Sequence, residues 1–246
     1  MLLLWLGACA LRTTAPTIDL GATLAEVDAQ WDARAAPGGL DAVMERLLAA
    51  LAASPDHPAL LARLARGEWT RAQLGEGAVH FEIAQDYGYR CLLGWPGFAS
   101  RLDGGGYRVD AAAAAELPAE SAGCLTWTVA SGLGQVEHRG PGAALELESL
   151  RALHGRLTQL GSGEAPGFTA WEAAKLELLS GGADSQLVRS RLAEAIAQAP
   201  GVLLFRVELA EAMPDAQNVA VEGFGPPASD AWALENAAWS ARLTAP

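Results

Sequence analysis

The sequence predicts an all-α fold built from helical hairpins, and three observations carry that prediction. Apolar residues recur at spacings of three and four in segment after segment. No segment sustains the alternation of apolar and polar residues that a half-buried strand requires. Pro and Gly clusters then cut the pattern into helix-sized pieces.

The elements follow in order. Residues 10–22 are polar, with Thr13, Thr14, Pro16 and Thr17, and read as a short tether. Residues 40–53 place Leu40, Val43, Leu47, Leu48 and Leu51 on one helical face, with Asp41 near the positive end of the helix dipole. Ser54-Pro55-Asp56-His57-Pro58 ends that helix, because proline lacks the N–H that continuation needs. A second helix follows through Leu60, Leu61, Leu64 and Trp69. Another pair is expected at 78–93 and 120–138, separated by a stop at Trp95-Pro96-Gly97 and a loop holding Gly104-Gly105-Gly106. Residues 143–160 repeat Leu145, Leu147, Leu150, Leu153, Leu157 and Leu160, and Gly161-Ser162-Gly163 breaks them. Further helices fit 168–180, 184–199, 202–213 and 229–243.

One internal repeat is visible. Val43, Arg46, Leu47, Ala50, Pro55, Leu64 and Ala65 recur, at a constant offset, as Val188, Arg191, Leu192, Ala195, Pro200, Leu209 and Ala210. The pattern has a mechanical meaning. A small Ala late in one helix admits a close neighbour, the Pro stops that helix, and the Leu-Ala pair packs the next one back. The arrangement resembles the junction between tetratricopeptide repeats, whose helix pairs stack into a curved solenoid. A helical bundle with two similar hairpins is the alternative.

The start of the chain carries a separate signal. Met1-Leu-Leu-Leu-Trp-Leu-Gly-Ala-Cys9 is an apolar run closing on Leu6-Gly7-Ala8-Cys9, the pattern of a lipobox. Residues 1–8 are expected to be the remnant of a signal peptide, Cys9 the lipidated residue, 9–22 the tether and 23–246 a single helical domain. Acyl chains on Cys9 would anchor the chain, each buried methylene adding about 0.8 kcal/mol. Net charge is −12, with 29 acidic against 17 basic residues and Lys175 the one lysine. With no Lys/Arg cluster, nucleic acid and anionic lipid surfaces are poor partners. Cys91 and Cys124 are then left over: in an oxidising compartment they can pair, and in a reducing one they would be buried thiols.

The search for catalytic chemistry is unproductive. There is no phosphate-binding G-x-x-x-x-G-K-[ST] loop, and Gly132-Leu133-Gly134 lacks the strand context for one. His57, His80, His138 and His154 are scattered, and Glu137-His138 is a lone dipeptide, so no metal or cofactor is expected. Ser131 does not sit in a nucleophile elbow. Glu146 and Glu148, two apart on a helix, point in different directions. Aromatic residues remain: Tyr87, Trp127 and Trp171 are the candidate contacts for a partner or ligand, against the plainer reading that they fill a core. Trp232 and Trp239, seven apart, share a face of the last helix and either cover the end of the stack or mark a subunit interface.

Several stretches together resemble the T component of TRAP-transporter-associated proteins, the TatT family of periplasmic lipoproteins. They are Tyr87-Gly-Tyr-Arg-Cys91-Leu92, Cys124-Leu-Thr-Trp127, Arg191-Leu-Ala-Glu-Ala195 before Pro200, Arg206-Val-Glu-Leu-Ala210 and Leu234-Glu-Asn-Ala-Ala238. Ser131 and Gly132 stand where a second aromatic usually follows Trp127 in that family. The resemblance implies a protein that trimerises and docks a periplasmic solute-binding P component, whose ligand passes to a TRAP-type permease. It implies a non-enzymatic role in the periplasm; Ala10 rather than Asp after Cys9 leaves sorting to the outer membrane open, where the lipid alone would hold the chain on the periplasmic side. The alternatives are a repeat scaffold in envelope assembly and an enzyme of unrecognised type.

Overall fold

A computed structural model describes residues 19–105, 108–140, 144–161, 165–181, 184–213 and 230–244. The lipidation site expected at Cys9 lies outside the described residues. Twelve α-helices and no strands occur among them: α1 (Leu20–Asp32), α2 (Gly39–Ala53), α3 (Pro58–Gln73), α4 (Val79–Leu93), α5 (Pro96–Gly105), α6 (Ala111–Ala115), α7 (Ala122–Arg139), α8 (Ala144–Leu160), α9 (Phe168–Leu179), α10 (Ser185–Gln198), α11 (Leu203–Ala212) and α12 (Ala233–Thr244). The fold is all-α and made of helical hairpins.

Local chemistry sets the boundaries. Asp19 caps α1 by accepting from the Ala22 N–H at 3.1 Å, and Asp184 caps α10 through the N–H groups of Gln186 and Leu187. Proline at the first turn lets α3 start at Pro58. Three elements exceed the sequence reading. Helix α1 begins inside the stretch read as tether, with Leu20, Leu24, Val27 and Trp31 on its packed side. Pro96, read as a stop, is also where α5 begins, and α6 is a short run of alanines capped by Asp110.

Successive helices pack against each other, and α7 is the hub: it touches α3, α4, α8 and α9 and is buried continuously from Cys124 to Val136. Close approach requires small residues. A Cβ added at Gly88 of α4 would lie 2.3 Å from Thr128 Oγ1, and one at Gly134 of α7 would lie 2.5 Å from the Phe81 ring. Cys91 of α4 and Cys124 of α7, with Cα atoms 5.9 Å apart, are joined as a disulfide. The repeated residues occupy equivalent places in the two hairpins α2–α3 and α10–α11: Val43, Leu47, Ala50, Leu64 and Ala65 are buried, as are Val188, Leu192, Ala195, Leu209 and Ala210.

Two cores result. The first, mostly aliphatic, runs from Val27 to Leu157 through α1–α8 and includes Leu176; the second gathers α9–α12 around rings supplied by α3, α4 and α7. The last helix packs on α3 as well as α11. It is held there by a buried ion pair. The guanidinium of Arg34, between α1 and α2, grips Glu235 of α12 with nitrogen–oxygen distances of 2.8 to 3.1 Å, and it also donates to the carbonyl of Trp31.

Candidate functional site

The aromatic residues proposed from sequence are inside the protein. Trp127 and Trp171 are buried in the second core, and Tyr87 lies partly buried where the two cores meet. Trp69 is the centre of the ring cluster, with centroids 5.5 Å from Trp127, 5.4 Å from Phe168, 6.4 Å from Trp171 and 6.3 Å from Trp239. These tilted and edge-on pairs match the geometry that aromatic quadrupoles favour. Trp239 is fully buried and Trp232 stacks on Phe168 at 5.6 Å, so both residues fasten α12 to this core.

Beside the rings, where α3, α4, α7, α9, α11 and α12 converge, a cleft of about 420 Å³ opens. Its volume falls within the range of small-molecule sites. Trp171 and Phe81 supply aromatic wall, and Lys175, Glu137, Glu208, His138, Gln73 and Arg242 supply polar groups. The sequence dictates how these meet. Trp171 and Lys175, four apart, share one side of α9, while Glu208 faces them from α11 and Glu137 from the end of α7. Lys175 Nζ donates to Glu137 Oε1 at 2.8 Å and to Glu208 Oε2 at 2.9 Å. Gly134 leaves room for the Phe81 ring on α7, and His138 lies over that ring with centroids 5.5 Å apart.

The electrostatics follow from burial. Side-chain exposure is 5 % for Lys175 and 6 % for Glu208, whereas Glu137 is 49 % exposed at the rim. Burial alone pulls the Lys175 pKa down, but Glu208 and Glu137 more than offset it, and the net shift is upward. Burial pushes the Glu208 pKa up, and Lys175 pulls it part of the way back. Lys175 is therefore an ammonium at neutral pH, a charged donor rather than the free amine that Schiff-base chemistry needs.

Two buried polar groups of α9 lack partners. The Trp171 Nε1–H and both carboxyl oxygens of Glu172 are buried with no hydrogen-bond partner. Desolvation holds the Glu172 pKa well above the ordinary carboxylate value. Among the described residues, no group of three or more His, Cys, Asp or Glu is placed to hold a metal, and no helix is long and apolar enough to cross a membrane.

Sequence reasoning found Trp171 and missed the polar half of the cleft. A signal for it was present: Lys175 is the one lysine of an arginine-rich chain and sits in the apolar run Ala173-Ala174-Lys175-Leu176. A charge placed there must be buried, and a buried charge requires a partner. Glu208 lies within one of the motifs already noted, Arg206-Val-Glu-Leu-Ala210, without any spacing that links it to Lys175.

No protein-family model matches the chain, and no curated protein matches it. The resemblance to T components therefore rests on the quoted motifs alone.

Proposed function

We propose that this protein is a non-enzymatic binding and assembly component of the cell envelope, lipid-anchored through Cys9 and facing the periplasm, where it serves a TRAP-type uptake system by docking its solute-binding protein. The observation that carries the binding role is the concave cleft at the convergence of six helices, with aromatic walls and a few converging charges. The protonated state of Lys175 favours binding over covalent chemistry at that place. The Cys91–Cys124 bridge suits an oxidising compartment, which supports the periplasmic part of the reading. The lipobox and the family motifs support the anchor and the partner. Trimerisation is part of the same proposal.

The test is affinity capture of the lipidated protein from its own envelope. A periplasmic solute-binding protein among the captured proteins is the expected result. Capture of outer-membrane assembly factors alone would favour the general scaffold. Cys9→Ser is expected to move the protein from the membrane to the soluble fraction, and unchanged fractionation would remove the anchor.

A further inference from the structure

We infer that the Lys175 cleft binds a small zwitterion, a carboxylate and an ammonium group on one short skeleton with an apolar side chain, as in an apolar α-amino acid. Charges of both signs stand in the wall. Lys175 is held between Glu137 and Glu208, and the other cation of the lining, Arg242, is committed to Glu211 by hydrogen bonds of 3.2 and 2.6 Å. Glu137 stands at the rim and spends Oε1 on Lys175, which leaves its Oε2 to receive an ammonium.

Donors are in surplus on the same wall. Lys175 uses two of its three N–H bonds on the carboxylates. The indole N–H of Trp171 is buried without an acceptor. Gln73, also in the lining, accepts from Trp239 Nε1 at 2.9 Å through its oxygen. A buried donor without an acceptor is costly, so an incoming carboxylate gains what that donor otherwise forgoes. Phe81 and Trp171 give the ligand's side chain an apolar bed, and the volume of about 420 Å³ accommodates it. A ligand with only one of the two charges satisfies half of this wall.

The inference extends the binding role above and is tested without any partner, by titrating purified mature protein with L-leucine, L-leucinamide and N-acetyl-L-leucine in a calorimeter. Leucine is expected to bind one-to-one with a dissociation constant tighter than about 1 mM, and each single-charge analogue roughly tenfold or more weakly. Glu137→Gln, at a half-exposed position, is expected to weaken leucine roughly tenfold and leave N-acetyl-leucine unchanged. Ala72→Phe adds a ring on the partly buried wall, keeps every charged group, and is expected to abolish binding of all three. Absence of leucine binding, equal binding of the three probes, or a Glu137→Gln variant that binds leucine like wild type would overturn the inference. Capture of a solute-binding protein by a chain that does not bind leucine would remove this inference and leave the proposed function standing; leucine binding without that partner would do the reverse.

Discussion

The two cores of this molecule are built from different materials. In the first, Leu, Val, Ala and Met fill the space, and the fully packed rings are Trp31 and Phe98. In the second, Trp69, Phe81, Trp127, Phe168, Trp171, Phe205 and Trp239 belong to one cluster, accompanied by the buried acid Glu172 and the buried Lys175–Glu208 ion pair. Aliphatic packing is tolerant of exchange as long as volume is kept. Rings and buried ions demand particular partners at particular angles. The first region is thus the more tolerant of exchange and is stapled by Cys91–Cys124, and the second is the more exacting, with the cleft on its flank.

The largest expected effect breaks the second core at its centre. Trp69→Ala removes the ring that joins α3 to Trp127, Phe168, Trp171 and Trp239, and should cost about 3–5 kcal/mol. Urea unfolding followed by tryptophan fluorescence measures it. A loss no larger than that of an Ile→Val-type trimming, about 1 kcal/mol, would show that the cluster is not a unit.

The staple of the first region comes next. Cys91 and Cys124 are 33 residues apart, and chain-entropy arguments assign a loop of that size about 3–4 kcal/mol. The double substitution Cys91→Ala/Cys124→Ala should lower stability by that order while leaving titration of the cleft with leucine unchanged at temperatures where the variant is folded. A lost cleft with an intact melting temperature would invert the division of labour between the regions. The seam between them is tested by Gly134→Ala, whose Cβ meets the Phe81 ring at 2.5 Å; overpacking of this kind costs about 1–3 kcal/mol. Thermal denaturation reads it, and a variant as stable as wild type would mean that the ring moves aside freely.

The same contrast explains what was legible beforehand. Aliphatic helices announce themselves by periodicity, so the sequence predicts α2, α8 and α10 with boundaries close to those observed. The repeated Val, Leu and Ala positions also proved to be buried in both hairpins. Helix α1 carries the same kind of stripe, yet its polar, Thr-rich approach hid it, and Pro96 was read as a terminator because an N1 proline and a breaking proline look alike without a structure. The cleft was the least legible part. Glu137, Lys175 and Glu208 come from three helices separated by tens of residues, and pairing across such distances leaves no trace in any local spacing. Likewise, the Arg34–Glu235 pair spans 201 residues and could not be inferred from either end.

The smallest effect is also the one whose sign discriminates most sharply between the regions, because it concerns Glu172, an acid enclosed in the second core. Its folded pKa is raised by desolvation above the ordinary value of 4.5, so the unfolded chain releases the proton first as pH rises. The unfolded state then binds fewer protons than the folded one, and stability falls with increasing pH, starting near the unfolded pKa and levelling off above the folded pKa. Below the unfolded pKa both states hold the proton and nothing is lost. Glu172→Gln keeps the size and polarity and removes the titration. Variant and wild type should therefore be equally stable in acid, and the variant should become progressively the more stable of the two as the pH rises above the ordinary carboxylate value. The shifts at Lys175, Glu208 and His154 are present in both proteins and cancel in the difference. Urea titrations across mildly acidic to neutral pH measure the gap. A constant difference at all pH values would mean that Glu172 has found a charge partner, and the second core would then tolerate ions as readily as it tolerates rings.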